Sequence, residues 1–206
     1  IALFPNGAGS VDEIISHADI AMYRAKHSGK NISQFYNQKI HEKLKHRLIV
    51  SQELRLAVEN KEFEIYYQPQ LNKDHKILGA ECLLRWNHPK NGTVLPDEFI
   101  PILEDSSMII EVGAWVLEQA CHQLASWNTQ GGAFSNLDLS VNVSPKQFND
   151  DNFVCNIEDT LKKTGAKPKH LVLEITENML INNIEKTIVK MDQLKRLGIR
   201  FSIDDF

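Results

Sequence analysis

The chain is poor in the residues that loosen, crosslink or insert a polypeptide. Only 10 Gly and 7 Pro occur among 206 residues, which excludes a collagen-like or low-complexity chain. Cysteine is scarcer still. Cys82, Cys121 and Cys155 are odd in number, widely spaced and free of any CxxC, a pattern of reduced cytosolic thiols rather than a disulfide framework. No apolar run approaches the roughly 18–20 residues that a bilayer-spanning helix needs. No signal-peptide layout is present and the chain does not begin with Met, so Ile1 is expected to be internal to a longer protein. Positive charge is not in surplus: the net charge of −4 argues against a surface for a nucleic acid polymer. The histidines also lack metal-binding order. His17, His27, His41, His46, His75, His88, His122 and His170 show no HxxxH or HExxH spacing and are read as surface or loop residues.

What is present is an ordinary globular composition, 42% hydrophobic and 24% charged, enough for one core and part of another. Residues 1–36 read as the tail of a larger unit. Ile1-Ala2-Leu3-Phe4 resembles a strand end, and Val11 to His27 carries helical spacing at Val11, Ile14, Ile15, Ala18, Ala21, Met22 and Ala25. Gly7-Ala8-Gly9 begins like a dinucleotide fingerprint, but Asp12 stands where the third glycine belongs, so that reading is rejected. Residues 37–60 hold a polar-rich connecting helix, with Ile40, Leu44, Leu48, Ile49, Leu54 and Val58 on one side.

From Phe63 a regular alternation sets in. Strands are predicted at Phe63–Gln68, Ile77–Trp86, Leu137–Val143, Leu171–Ile175 and from Phe201, with helices after Pro96, at Glu111–Trp127, near Asn152–Thr164 and near Asn183–Leu197. Asn72-Lys73-Asp74 is too short for a parallel crossover, so the first two strands should pair antiparallel. The remainder should be parallel α/β, with too few strands to close an eight-stranded barrel.

The strand ends carry the chemistry. Glu81, Asn142, Glu174 and the pair Asp204-Asp205 each fall at the C-terminal end of an apolar strand, where α/β barrels assemble their sites. Alternation puts Glu81, Leu83 and Arg85 on one face, and Cys82, Leu84 and Trp86 on the other. Ser140 and Asn142 share a face of the third strand, as Tyr66 and Gln68 do on the first. A single Glu or Asn there is more often a cap or a loop hydrogen-bonder; the combination is what argues for a shared centre. Carboxylate and amide oxygens are hard ligands suited to Mg²⁺ or Mn²⁺. A paired-ion site of this kind suits phosphodiester hydrolysis, and Arg85 could grip a phosphate bidentately. Trp115 and Trp127 read as helix core.

At these residues the chain resembles a known family. Tyr67-Gln68-Pro69, Glu81-Cys82-Leu83-Leu84-Arg85-Trp86, Asn142-Val143-Ser144, Glu174-Ile175-Thr176-Glu177 and Asp204-Asp205-Phe206 match in order the EAL domain of bacterial cyclic di-GMP phosphodiesterases. The signature triplet reads Glu-Cys-Leu, with Cys82 expected to point away from the site. Residues 1–36, through Ala18-Asp19-Ile20-Ala21-Met22-Tyr23-Arg24-Ala25-Lys26 and Gly29-Lys30-Asn31, resemble the end of a GGDEF (diguanylate cyclase) domain. The organisation implied is a GGDEF remnant at 1–36, a linker and first EAL helix at 37–60, and an EAL domain at 61–206 stopping after its DDF motif. The implied fold is α/β: a partial TIM-like (β/α)8 barrel with an antiparallel first strand, preceded by a short α/β tail.

The resemblance implies cleavage of cyclic di-GMP to linear pGpG with two Mg²⁺ or Mn²⁺ ions. Glu81, Asn142, Glu174, Asp204 and Asp205 would be metal ligands, and Glu81, Asp204, Asp205 and Glu177 the catalytic set, Glu177 bracing a loop on the dimer-forming side. Gln68, Leu83 and Arg85 would meet the substrate, and Lys26 and Lys30 match nucleotide-phosphate positions of the GGDEF tail. The family's general-base lysine, a further metal-binding Glu and a substrate-contacting Gln would follow Phe206, so this stretch alone is expected to be inactive or very weak. The implied setting is a cytoplasmic homodimer with an upstream GGDEF domain and a sensory domain, its parent anchored at the inner membrane or not. Two other readings stay open: a receptor that binds cyclic di-GMP without cutting it, and a scaffold that has lost the ligand.

Overall fold

A computed structural model describes residues 1–3, 10–27, 31–176, 179 and 184–204. Its contacts divide the chain into two compact units, Ile1–Glu53 and Leu54–Phe206.

In the first unit, helix α1 spans Val11–His27 as its periodicity predicts. Ser10 begins it by accepting from the Glu13 amide at 3.2 Å, an N-cap contact. The face it buries is narrower than expected: Ile14, Ala18 and Ala25 are half-buried along one side. His17 and Ala21 are buried, whereas Val11, Ile15 and Met22 are exposed. His17 is no surface residue: its ring stacks on Tyr36, centroids 3.6 Å apart. The strand expected at the N-terminus is likewise absent over Ile1–Leu3. Those residues instead make two isolated backbone bonds, Ile1 N to Gln34 O and Tyr36 N to Ile1 O, too few for a ladder. Helix α2, Gln38–Glu59, contains the division between the units. Leu54 is buried as expected, but Leu48 and Ile49, expected on the same side, are exposed; Val50 and Ala57, at i−4 and i+3 from Leu54, are buried with it.

The second unit is built on one mixed sheet. Its strands are β1 Phe63–Leu71, β2 Ile77–His88, β3 Gly92–Val94, β4 Asp138–Asn142, β5 Leu171–Thr176 and β6 Arg200–Asp204. Between them lie helices α3 Pro96–Ser106, α4 Ile109–Gln130, α5 Pro145–Asn149, α6 Phe153–Thr164 and α7 Ile184–Arg196. The order is β1-β2-β4-β5-β6, with β3 hairpinned onto β2. β1 and β2 are antiparallel, as the short turn required. Asn72 closes that turn, its Oδ1 accepting from the amides of Asp74 and Lys76 at 2.9 Å each. β2, β4, β5 and β6 pair in parallel. The described strands form an open sheet. Among the described residues no helix is long and apolar enough to cross a membrane.

One face of the sheet is covered by helices and holds the core. Cys82, Leu84, Trp86, Leu139, Val141, Leu171, Leu173 and Ile175 are all buried there, alternating with the residues of the opposite face. Trp86 anchors the C-terminal end of β2 within it. Its indole N–H donates to Glu62 Oε2 at 3.0 Å, and its ring meets His88 and Phe99 edge-on at 4.8 and 6.0 Å. His88 is therefore buried rather than exposed, its Nδ1 accepting the amides of Lys90 and Asn91. Gly79 lets β2 and β4 approach, because a Cβ there would stand 2.3 Å from the Asp138 carbonyl oxygen.

A polar clamp joins the lower ends of three parallel strands. Asp138, opening β4, accepts from His170 Nδ1 at 3.0 Å and pairs with Arg200 at the start of β6. Arg200 also donates through Nε to the Lys169 carbonyl at 2.9 Å. Because a carboxylate only accepts, His170 carries its proton on Nδ1, and its buried Nε2 meets no hydrogen-bond partner among the described residues. His170 too departs from its surface reading: it is 8% exposed.

Burial alone would lift the Asp138 carboxyl, but hydrogen bonds from Arg200 and His170 outweigh it and hold the group below its ordinary value of 3.8. A native acid that is depressed stabilises the fold above its unfolded pKa, and that contribution disappears as pH falls through the lower native value. Asp138→Asn is therefore expected to cost roughly 1 kcal/mol at pH 7, given the solvent screening of a half-exposed pair. Urea denaturation across a pH series should show the gap to wild type closing below the ordinary carboxylate range.

Candidate functional site

Strand pairing brings the predicted residues into one line across the upper part of the sheet. Gln68 lies opposite Glu81 on the antiparallel pair. Glu81 pairs with Ser140, placing Asn142 one same-face step higher, and Asn142 pairs with Glu174. Glu174 pairs with Ser202, and Thr176 with Asp204. Gln68, Glu81, Asn142, Glu174 and position 204 thus share the face opposite the helix-covered core. The Asp204 side chain, and Asp205, Phe206 and Glu177 entirely, lie outside the described residues, as does Lys30. Lys26 is exposed on α1 in the other unit.

The most direct contact is between two predicted ligands. Asn142 Nδ2 donates to Glu81 Oε1 at 2.8 Å. That bond uses the nitrogen side of the amide and leaves the carbonyl oxygen Oδ1 as its remaining acceptor. Glu81 is half-buried, Asn142 exposed, and Glu174 only 9% exposed. Two carboxylates and an amide oxygen are thereby gathered on adjacent strands, Glu81 from within the twelve-residue β2 rather than from the C-terminal end expected for it. The donor set is all oxygen and fits a hard divalent cation. Among the described residues no three His, Cys, Asp or Glu side chains cluster closely enough to hold an ion; the backbone of position 204 lies on the same face, paired with Thr176.

Arg85 has the character of a group kept for a ligand. Its register partner is Glu64, yet Glu64 is engaged by Asn87, whose Nδ2 donates to Oε2 at 2.8 Å. The guanidinium instead lies 5.5 Å from the Tyr66 ring centroid and donates through Nη1 to the Leu84 carbonyl at 2.9 Å. No carboxylate pairs with it among the described residues. A cavity of about 430 Å³ opens between the strands and helices α3 and α4; Asn142 and Glu174 line it together with Cys82, Asp97, Glu104 and Gly113 among others, but Gln68, Glu81 and Arg85 do not. Its size suits a nucleotide-sized ligand. By contrast, the hollow between α4 and α6 holds about 30 Å³, room for little more than a water.

Cys82 occupies the other face, as alternation predicts. Burial, and then the charges of Glu81, Cys121 and Glu174, push its thiol up to about 12. Cys121 reaches the same value, chiefly by burial and then by Glu118. Both stay protonated at neutral pH, which suits packing and neither nucleophilic attack nor metal ligation. Tyr67, beside them, is raised to about 12 by burial and then by Cys82.

The site's α3 wall, Asp97 and Glu104, was not among the sequence candidates. Its signal was faint: an acidic first turn after Pro96, which reads as helix capping before it reads as function. Helix α5 was also missed, although Ser144-Pro145-Lys146-Gln147 spells a capping box.

Comparison with known proteins agrees with this geometry. Residues 51–206 match the EAL-domain model. The chain belongs to the EAL-domain family. It is 34% identical over its whole length to the bifunctional diguanylate cyclase/cyclic di-GMP phosphodiesterase MucR of Pseudomonas aeruginosa, of which it covers 30%. It is 32% identical to the cyclic di-GMP phosphodiesterase PdeR of Escherichia coli, again along its whole length, covering 31% of that protein. The chain thus spans under a third of these curated relatives. Among solved structures, the MucR phosphodiesterase in complex with c-di-GMP superposes with a TM-score of 0.73 at 34% identity, over 76% of this chain and 63% of that one. The EAL enzyme Bd1971 in its cAMP- and cyclic-di-GMP-bound form gives 0.74 at 32% identity, over 97% and 52%.

The burial pattern sets the reactivity of the three thiols. Exposed Cys155 is expected to react with an aromatic disulfide reagent within seconds, while Cys82 and Cys121 react only on unfolding. Titration of thiols before and after addition of denaturant checks this; rapid release from more than one site in the native protein would contradict it.

Proposed function

We propose that the full protein carrying this chain hydrolyses cyclic di-GMP to linear pGpG with the help of two Mg²⁺ or Mn²⁺ ions. The observation that carries this reading is the 2.8 Å bond joining Asn142 to Glu81, with Glu174 paired in register beside Asn142. Curated relatives named as cyclic di-GMP phosphodiesterases support it, since they align along the whole chain.

Each residue has a definable task under this reading. Glu81, Asn142, Glu174, Asp204 and Asp205 would hold the ions through oxygen. When bound, those ions would neutralise phosphate charge and make an attacking water more acidic. Glu81 and Glu174 supply the negative charge that a divalent cation requires, and the Asn142 amide adds an oxygen without adding charge. Arg85, free of any carboxylate among the described residues, would take a non-bridging phosphate oxygen. Gln68 and Leu83 would flank the ligand, one through its amide and the other by apolar contact. Glu177 would brace the loop that follows β5.

The same reading extends to the rest of the protein. The sheet would be the first part of a TIM-like barrel with an antiparallel first strand. Residues 1–36 would be the end of a GGDEF domain, with Lys26 and Lys30 at its phosphate positions. A cytoplasmic homodimer under sensory control would be the working form.

Incubating the full protein with cyclic di-GMP and Mg²⁺ should yield pGpG by chromatography. Glu81→Ala should reduce turnover at least a thousandfold, since it removes charge from the ion site, while leaving the melting temperature within a few degrees. Arg85→Ala should raise KM more than it lowers kcat, by about tenfold. Ligand binding without any product would replace the enzyme by a cyclic di-GMP receptor.

A further inference from the structure

Helix α5 is five residues long, too short to persist alone, yet three other elements hold it in place. Lys146 Nζ reaches the end of α3, donating to the Asp105 carbonyl at 3.3 Å and to Ser107 Oγ at 3.4 Å. Lys190 of α7 caps its far end, donating to the carbonyls of Phe148 and Asp150 at 2.8 and 2.6 Å. The third tie is a side chain buried against a bare backbone. Gln147 is 4% exposed and its amide packs against Gly113 of α4. A Cβ on Gly113 would stand 1.7 Å from Gln147 Nε2 and 2.2 Å from its Cδ. Glycine inside a long helix is unfavourable, and here the close approach of Gln147 is what requires it.

Gln147 acts back on the strand that carries Asn142. Its Oε1 accepts from the Ser144 amide at 3.2 Å, while Ser144 Oγ accepts from the Gln147 amide at 3.2 Å. One residue separates Ser144 from Asn142: Val143, 4% exposed, whose amide donates to the Glu174 carbonyl at 2.9 Å. The chain leaving β4 is therefore gripped by the ladder on one side and by the capping box on the other. Asn142 sits at the point between those two grips.

We propose that Gly113 and Gln147 form a positioning pair that sets the exit of β4 and so holds the Asn142 amide against Glu81, fixing the oxygen offered to the divalent cation. This rests on the metal-site reading given under Proposed function. Neither residue touches the reacting atoms. Gly113 provides the recess, Gln147 fills it, and its amide oxygen fixes the Ser144 backbone.

The test is Mn²⁺ affinity of the full protein without nucleotide, by calorimetry or by electron paramagnetic resonance of the free ion, beside the melting temperature. Gly113→Ala drives Gln147 from its recess, and Gln147→Met keeps its bulk but removes the acceptor. Each is expected to weaken Mn²⁺ binding at least tenfold with melting within a few degrees of wild type. Gln147→Glu, which keeps an acceptor for the Ser144 amide, should stay within threefold. Gln147→Met leaves α4 untouched, so it decides the matter even if Gly113→Ala does not fold. Wild-type affinity in a folded Gln147→Met overturns the proposal, as does an equal loss in a folded Gln147→Glu. Absence of Mn²⁺ binding in the wild type instead overturns the metal-site reading itself.

Discussion

Parallel register between β2, β4, β5 and β6 is the constraint on which the candidate site depends. A slip of one residue on any of these strands would exchange its two faces, burying an acid and exposing a core residue. The clamp of Asp138, His170 and Arg200 opposes such a slip at the lower end. Each clamp residue stands four positions before a predicted ligand of its own strand: Asp138 before Asn142, His170 before Glu174, Arg200 before Asp204. An extended chain covers about 13 Å over that interval, so polar contacts at one end level the oxygen donors at the other. The core between them, Leu139, Leu171 and Leu173, is fully buried and resists relative sliding by close packing.

The division of labour between the sheet faces follows from the same pairing. Toward the helices the strands present apolar groups, and even the thiol of Cys82 belongs to that side. Toward the other face they present Gln68, Glu81, Arg85, Asn142 and Glu174. Glu81 and Cys82 are neighbours in sequence but occupy different environments, one available to a cation and one held protonated by burial. That separation explains how an EAL domain carries cysteine in the middle of its signature without disturbing the carboxylate beside it.

At the strand tips, where ladder hydrogen bonds end, geometry must come from elsewhere. β4 solves this with a five-residue helix tied to α3, α4 and α7, so that its last residue, Asn142, is held from both sides. The cost is a glycine in the middle of α4. Arg85 is held instead by the face of Tyr66 and the Leu84 carbonyl.

Much of this was legible in the order of residues. Alternation of apolar and polar positions assigned the faces of β1, β2 and β4, and the short Asn72 turn required an antiparallel first pair. Acids at successive strand ends marked the site before any contact was known, because periodicity and strand polarity are local properties. Other features depended on partners distant in sequence. His17, His88 and His170 look like solvent-facing residues, and only stacking on Tyr36, on Trp86 and against Asp138 makes them interior. The apolar positions of α1 pointed to a broad core face, while the unit buried only its Ala21 side and left Val11, Ile15 and Met22 exposed. Gln147 and Gly113 are unremarkable thirty-four residues apart. Sequence alone determined which polar groups share one side of the sheet. Tertiary packing decided how far each is fixed, since the direction of a strand's last residue is set by what its neighbours exclude.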